Sequence, residues 1–205
     1  MISTLFGTGS ATVSATRRAG AILACLLVWG TAWPAARAPA LLDPATRATL
    51  ARAIAASPGF DNRFAAEVWL VDMSRRLAHF VPDVTRRLAL LRDVHAAASQ
   101  AGVSPELVLA IIEVESHFKR FALSSAGARG LMQVMPFWRD EIGTADDNLF
   151  ARATNLRYGC AILAVYLERE HGRLAPALAR YNGSTGRTVY SDRVLAALRR
   201  HWRTD

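Results

Sequence analysis

Glu115 is the residue whose type and position point most directly to chemistry. It lies in a predicted helix from 104 to 119, three and four residues after Ile112 and Ile111, so it projects into the centre of the apolar face. Burial and the negative end of the helix dipole both favour the neutral acid, which predicts a raised pKa. An acid that stays protonated near neutral pH can donate to a leaving oxygen. The alternative is an acid in a structural hydrogen-bond network or at a hydrated helix end.

A loop with two glycines follows this helix. Gly127 and Gly130 give the backbone the freedom for a tight turn and for close approach to a ligand. Met132 offers a pliable apolar contact, and the amide of Gln133 offers two donors and an acceptor. Taken singly, each of these side chains also has an ordinary role in a protein core. Their functional meaning depends on the other motifs.

A tyrosine lies near the end of a later predicted helix, from 174 to 182. The phenol of Tyr181 can donate to a buried carboxyl group while its ring forms the wall of a groove. Asn182 and Gly183 are typical of a helix C-terminus. Half-buried packing is the ordinary role of such a tyrosine, so this motif also needs the others for a functional interpretation.

These motifs together resemble the soluble lytic transglycosylase catalytic domain, a relative of goose-type lysozyme. The resemblance covers about residues 95 to 200. Three motifs carry it: Glu115-Ser116-x-Phe118, then Gly127-Ala128-x-Gly130-Leu131-Met132-Gln133 with Met135-Pro136, then Tyr181-Asn182. Three motifs in the family's order are a far more specific signal than any one alone.

The resemblance implies roles for the residues of the first two motifs. Glu115 matches the family's single catalytic acid and base. Ser116 matches a residue that helps to position the acid and the substrate. Met132 and Gln133 match residues that line the substrate groove.

The third motif is implied to complete the site. Tyr181 matches a tyrosine that hydrogen-bonds the acid, and Asn182 matches its partner at the binding cleft. Where the family often reads Ala-Tyr-Asn-Ala-Gly, this chain has Arg180 before the tyrosine and Gly183 after the asparagine. That departure concerns the substrate contacts of the loop and leaves the acid unaffected.

The implied reaction explains how one carboxyl group suffices, although ordinary glycosidases need two. Glu115 would protonate the oxygen between N-acetylmuramic acid and N-acetylglucosamine in peptidoglycan. It would then take the proton of the C6 hydroxyl, which closes a 1,6-anhydro ring without water. Because the nucleophile belongs to the substrate, proximity replaces a second protein group. Other acids are interpreted as hydrated or helix-end residues: Asp140, Glu141, Asp146, Asp147 and Asp192.

Three alternatives stay open beside the transglycosylase. A hydrolytic muramidase would use the same acid to serve a water molecule. A catalytically idle wall-binding or secretion-scaffold module would keep the fold without cleavage. Nucleic-acid binding driven by charge is the third, because the chain has a net charge of +8. The arginines are scattered along helices and no nucleic-acid motif is present, so a wall polymer with carboxylates is the favoured anionic partner.

The N-terminal 40 residues have the composition of a secretory signal peptide. Arg17 and Arg18 precede an apolar run from Ala19 to Trp33, and small residues follow at Ala36, Ala38 and Ala40. We therefore predict export to the periplasm or the cell exterior, at the bacterial cell wall, with no stable membrane span after processing. An uncleaved anchor is the alternative. A partner in wall machinery or a secretion apparatus is compatible with this location.

The rest of the chain predicts an all-α, lysozyme-like domain with extra N-terminal helices. Helices are expected near 43–57, 61–80, 84–101, 104–119, 148–171, 174–182 and 191–202. Residues 41–94 are assigned to a helical extension packed on the catalytic domain, and residues 95–205 to that domain. Cys160 lies on an apolar stripe and is expected to be buried. The histidines lack metal-ligand spacing, so no metal or other cofactor is expected.

Overall fold

The computed structural model describes residues 63–203. Its helices are α1 (Arg63–Leu77), α2 (Val84–Ala101), α3 (Pro105–Ser116), α4 (Trp138–Ile142), α5 (Arg152–Arg169), α6 (Leu174–Tyr181), α7 (Val189–Ala197) and a π-helical turn (Leu198–Trp202). Within this described part, β-type pairing is limited to isolated bridges that join Arg129 to Leu123 and to Val134. The predicted all-α class is confirmed.

The positions of the helices follow the sequence pattern more closely than their ends do. Helix α2 has the predicted bounds, and α1, α5 and α6 lie within their predicted ranges. The predicted helix 191–202 begins earlier, at Val189, and its last turn is π-helical. The short helix α4 was not predicted. The predicted helix 43–57 and the predicted signal peptide 1–40 lie outside the described residues.

Local capping fixes where the helices around the site begin. Ser104 accepts a hydrogen bond from the backbone N–H of Leu107 at 3.1 Å, and Pro105 occupies the first position of α3, where a missing N–H costs nothing. Asp83 caps α2 in the same way, and Gly102 ends α2 in the left-handed conformation with φ +67°. The N-terminus of α3 is therefore set by residues that the sequence analysis identified.

Helix α3 forms the centre of the fold. Its residues from 107 to 112 are all buried, so this stretch is apolar on every side. It packs against α2, α7 and the π-helical turn, while α5 packs between α2 and α6. The predicted boundary between extension and catalytic domain, after residue 94, falls inside the continuous helix α2 and stays a prediction.

A half-buried carboxylate, that of Glu113, joins the C-terminal turn to α3. The indole Nε1 of Trp202 donates to Glu113 Oε2 at 2.7 Å, and His201 Nδ1 lies 2.9 Å from Glu113 Oε1. On the other side, the Arg76 guanidinium donates to the backbone oxygen of His201 at 3.1 Å. Trp202 is fully buried. Glu113 is thus a structural acid, although its sequence position two residues before Glu115 gave no sign of this contact.

Cys160 lies in α5 with no exposed surface, as predicted. Burial raises the pKa of its thiol to about 12, so the thiolate is not formed at neutral pH and the residue behaves as a small apolar side chain.

Among the described helices, none alone is long and apolar enough to cross a bilayer. Helices α2 and α3 reach that length and hydropathy only as a pair, and they are bent by 118° relative to each other.

Candidate active site

The end of α3 places Glu115 in the last helical turn. The helix stops at Ser116 because His117 and Phe118 both adopt left-handed backbone conformations, with φ values of +49° and +62°. The predicted end near residue 119 was therefore about one turn too late. Consecutive left-handed residues without glycine are costly and persist where the surrounding structure holds them. They turn the chain sharply away after the acid.

Glu115 is half-buried, and its environment favours the protonated form. Burial raises the pKa of its carboxyl group from 4.5 to about 6. The hydrogen bond from Tyr190 and the positive charge of Arg193 oppose this increase by stabilising the carboxylate. The carboxyl group is therefore poised close to neutral pH, where it can both give and take a proton.

The tyrosine that hydrogen-bonds the acid is Tyr190, not Tyr181. The phenol of Tyr190, in the first turn of α7, donates to Glu115 Oε1 at 2.7 Å. The phenol of Tyr181 instead donates to the backbone oxygen of Met132 at 2.9 Å. The role implied for Tyr181 is thus corrected. Two tyrosines flank the same site, and only the packing of α7 against α3 decides which one reaches the carboxyl group.

Both phenols stay protonated donors at any pH relevant to activity. Burial and the nearby negative charge of Glu115 raise the pKa of Tyr181 and of Tyr190 well above the usual 10. Glu115 therefore titrates near neutral pH while one neutral hydroxyl group, that of Tyr190, is hydrogen-bonded to it.

Ser116 holds the loop of residues 121–136, which we call the motif loop, instead of facing a groove. Its hydroxyl group is buried and lies 2.8 Å from the backbone oxygen of Leu131 and 3.1 Å from that of Ile112. The first contact joins the end of α3 to the loop fifteen residues later. The implied role in positioning the acid stays a prediction, whereas the implied contact with substrate is corrected, because the hydroxyl is enclosed by protein.

Met132 is fully buried, so the implied role of its side chain in lining a groove is corrected. The side chain packs against Gly159 of α5, where a Cβ atom would lie only 2.3 Å from the Met132 sulfur. What Met132 presents toward the site is its backbone oxygen, which holds Tyr181. The Met132 side chain is a core residue that packs the motif loop against α5.

Gln133 braces the loop through its amide. Its Nε2 donates to the backbone oxygens of Gly130 at 2.9 Å and Ala122 at 3.2 Å. Both amide protons are therefore used within the loop, and only Oε1 is left to accept a hydrogen bond from a ligand. The backbone of Gln133 has φ +49°, which is a strained conformation for a residue other than glycine.

The other acidic residues considered earlier do not form a pair with Glu115. No carboxylate is among the groups that shift its pKa. Asp147 accepts a short hydrogen bond from Tyr158 and pairs with Arg157, and the bond from Tyr158 lowers the Asp147 pKa. Asp140, Glu141, Asp146 and Asp192 are exposed. Across residues 63–203, no group of three or more His, Cys, Asp or Glu side chains is placed to hold a metal ion.

One half-buried acid, one phenol donor and a braced glycine loop thus lie together at the ends of α3, α6 and α7. Residues 93–193 match the family described as the transglycosylase SLT domain. The chain carries a transglycosylase SLT domain.

Relatives of the SLT domain are found in bacteria and phage. A Salmonella paratyphi B protein named membrane-bound lytic murein transglycosylase C is 36% identical over 51% of this chain and 34% of its own length. A transglycosylase of Enterobacteria phage PRD1 is 34% identical over 45% of this chain and 34% of its own. The chain spans about a third of the length of these curated relatives.

A solved structure of the lytic transglycosylase Slt from Pseudomonas aeruginosa, an inactive mutant, also aligns with the chain. The alignment covers 78% of this chain and 34% of that one, at 20% identity and a TM-score of 0.42.

Asn155, like Tyr190, is a residue of the SLT domain whose role was not predicted from the sequence. It is 1% exposed in α5, and its Oδ1 accepts from the backbone N–H of Met132 at 2.8 Å. Its Nδ2 donates to the backbone oxygens of Arg129 and Leu149, each at 2.8 Å. One side chain therefore anchors the motif loop at two points and ties it to the segment just before α5. A polar residue inside the apolar α5 stripe was the available signal.

Asn182 is exposed directly after α6, beside Tyr181. Its backbone N–H bonds to the Leu178 oxygen and closes the last turn of the helix at 3.1 Å. The side chain is free to reach a ligand in this position. The implied contact of Asn182 with substrate stays a prediction.

Proposed function

We propose that this protein is a peptidoglycan lytic transglycosylase. It would cleave the β-1,4 bond between N-acetylmuramic acid and N-acetylglucosamine and leave 1,6-anhydromuramyl ends. The observation that carries the proposal is Glu115, a single half-buried acid with a pKa of about 6 and no carboxylate among the groups that perturb it. The SLT domain and its transglycosylase relatives support the same activity.

In the first step, Glu115 acts as the general acid. Tyr190 donates to Oε1, which leaves the proton on Oε2 to be given to the glycosidic oxygen. The bond to the muramyl C1 breaks as the oxygen takes this proton, and the N-acetylglucosamine part leaves with a new hydroxyl group. The acetamido group of the muramyl residue stabilises the positive charge that develops at C1.

In the second step, the Glu115 carboxylate acts as the base. The same hydrogen bond from Tyr190 and the charge of Arg193 stabilise the carboxylate that the first step produced. Glu115 takes the proton of the muramyl C6 hydroxyl, whose oxygen attacks C1 and closes the anhydro ring. The acid is protonated again at the end of the cycle. The reaction therefore needs no second carboxyl group and consumes no water.

The proposed site of action is the cell wall, outside the cytoplasm. The signal-like sequence of residues 1–40 supports export, and the excess of basic over acidic residues in the rest of the chain suits a polymer with carboxylate-bearing peptide stems. Peptidoglycan strands are the proposed partner, and no metal or other cofactor is needed for the two steps.

Mass analysis of the products tests the reaction type. Purified protein that has lost residues 1–40 is incubated with wall sacculi, and the released muropeptides are analysed by mass spectrometry. We expect anhydro ends, each lighter by one water than the corresponding reducing end. Reducing ends alone would exclude the transglycosylase and favour a hydrolytic muramidase, while intact sacculi would indicate an idle wall-binding module.

The pH dependence of kcat/KM tests the acid. Because Glu115 must be protonated to start the reaction, kcat/KM should fall as pH rises through about 6 and drop by about 50-fold between pH 6 and pH 8. Tyr190→Phe removes a hydrogen bond that lowers the pKa of Glu115. The pH range in which kcat/KM falls, the falling limb of the profile, should therefore move to higher pH. The measurement is a pH series of initial rates on solubilised glycan strands.

Two other tyrosines provide the controls for this series. Tyr166→Phe, at a half-buried tyrosine in α5, should leave the limb where it is in the unmodified protein. Tyr181→Phe removes the bond to the Met132 oxygen but none to Glu115, so it should also leave the limb in place. A limb that moves in Tyr181→Phe and stays fixed in Tyr190→Phe would contradict the assignment of the two tyrosines.

A further inference from the structure

The motif loop carries an exposed aromatic surface at its beginning. Phe121 is 72% exposed and Leu123 is 64% exposed, although both are large apolar residues. The ring of Phe150, which is partly exposed, lies 6.3 Å from the ring of Phe121, centre to centre. We call these three residues, together with Arg120 and Arg129, the loop platform. Such a cluster of exposed apolar side chains is typical of a binding surface.

Two guanidinium groups lie over the rings of the loop platform. Arg120 is 5.1 Å from the centre of the Phe121 ring, and Arg129 is 5.8 Å from the centre of the Phe150 ring. The Arg120 Nε also donates to the Phe150 backbone oxygen at 3.0 Å, which fixes its orientation. This geometry is a cation–π arrangement that leaves the terminal nitrogens free to bind an anion.

The positive charge of the loop platform has no anionic partner within residues 63–203. Neither Arg120 nor Arg129 forms an ion pair with a described carboxylate. Other arginines of the domain do, including Arg152 with Asp93 and Arg180 with Glu170. Flat apolar faces flanked by two unpaired guanidinium groups fit a ligand that has both an apolar face and carboxylates.

The loop platform is fixed to the candidate active site by the braces of the loop. The Ala122 oxygen, directly after Phe121, accepts from the backbone N–H of Gly130 at 2.9 Å and from the Gln133 amide. Phe121 follows Glu115 by six residues, so their Cα atoms are at most about 21 Å apart. That separation is no longer than a few sugar residues, so a glycan strand bound at Glu115 is long enough to span it.

We propose that the loop platform is a distal subsite for the peptidoglycan strand cleaved at Glu115, an inference that rests on the proposed function. The C–H face of a sugar ring packs on Phe121 and Phe150, and a carboxylate of a peptide stem binds Arg120 and Arg129. Continuity with the braced loop and the unpaired positive charge favour this occupant over a lipid surface or a second copy of the chain.

Equilibrium binding to long glycan strands tests the subsite, in a Glu115→Gln background that prevents turnover. The strands are used with their peptide stems and after enzymatic removal of the stems. Phe121→Ala should weaken binding of both forms about fivefold, since it removes the stacking face. Arg120→Gln combined with Arg129→Gln should weaken binding about fivefold only when the stems are present.

Matched variants elsewhere on the surface control for loss of charge or apolar area. Arg169→Gln removes an arginine that lies 6.0 Å from the Tyr166 ring centre, and Val165→Ser removes an apolar side chain that is 42% exposed. Both should bind strands as the unmodified protein does. The subsite is overturned if Phe121→Ala binds as tightly as the control variants, or if the arginine effect persists on stem-free strands.

Two further measurements separate this inference from its competitors. If Phe121→Ala loses binding to anionic phospholipid vesicles or loses self-association while its affinity for strands is unchanged, the subsite is refuted. If the unmodified protein leaves sacculi intact, the proposed function fails, and the binding comparison still decides whether the loop platform holds the strand.

Discussion

Glu115→Gln should lower cleavage of peptidoglycan strands by about a thousandfold or more while the fold is retained. The amide cannot give a proton to the glycosidic oxygen or take one from the C6 hydroxyl, so both proposed steps lose their catalyst. Its oxygen can still accept from Tyr190, which keeps the local geometry. The measurement is release of soluble muropeptides at pH 6, with circular dichroism to follow folding.

The same substitution should stabilise the protein at high pH. The pKa of Glu115 is raised from 4.5 to about 6 on folding, so its contribution to stability is complete below pH 4.5 and is lost as pH rises through 6. The loss amounts to about 2 kcal/mol at pH 8. We therefore expect Glu115→Gln to have a higher free energy of unfolding than the unmodified protein at pH 8, and no such gain at pH 4.

Glu113→Gln is the matched control, because it changes a second acid on the same helix. Glu113 binds Trp202 and His201, so its replacement weakens charge-assisted hydrogen bonds and should lower the free energy of unfolding by about 1 to 2 kcal/mol. Cleavage per folded molecule should be retained. Loss of cleavage in Glu113→Gln together with full activity in Glu115→Gln would reverse the assignment of the catalytic acid.

Asn155→Leu should be the most destabilising single change near the site. Leucine has a similar size but removes all three hydrogen bonds: the Met132 N–H and the Leu149 oxygen lose their partner, and the Arg129 oxygen keeps only the Val134 N–H. Each buried polar group left unsatisfied costs about 1 to 3 kcal/mol, so the free energy of unfolding should fall by about 3 to 5 kcal/mol. Cleavage should fall as well, because the motif loop loses its anchor. Denaturant unfolding measures the first effect.

Asn148→Ala gives the comparison for an exposed asparagine of the same region. Asn148 Oδ1 accepts from the backbone N–H of Phe150 at 2.9 Å at the surface, where water can replace it. Its removal should cost less than about 1 kcal/mol. If Asn155→Leu were no more destabilising than Asn148→Ala, the loop would not depend on Asn155 and the description of its anchoring would be wrong.

Features that depend on residues close together in the sequence could be predicted from the sequence. Helix periodicity set Glu115 on the apolar face of α3, and the Ser104 cap with Pro105 fixed where that helix begins. The predicted end of α3 was too late, because His117 and Phe118 adopt left-handed conformations that cannot be predicted from their residue types. Conformations of this kind depend on the surrounding packing.

The assignment of the motif residues to one substrate site stays a prediction, and several of their contacts were assigned wrongly. Tyr181 was assigned as the donor to the acid, and Tyr190 was not considered. Tyr190 lies on the buried face of α7 with Val194 and Ala197, which was the available signal. Met132 was expected in a groove and is fully buried.

The sequence by itself determined the helical class, the half-buried acid and the glycine loop, since each depends on residues within one or two helical turns. Only the tertiary structure decided that Tyr190 reaches Glu115, that Glu113 holds the C-terminal turn and that Asn155 anchors the loop. These contacts join residues 23 to 89 positions apart. A hydrogen bond tolerates only a few tenths of an ångström, so the packing of whole helices must be known before such a partner can be assigned.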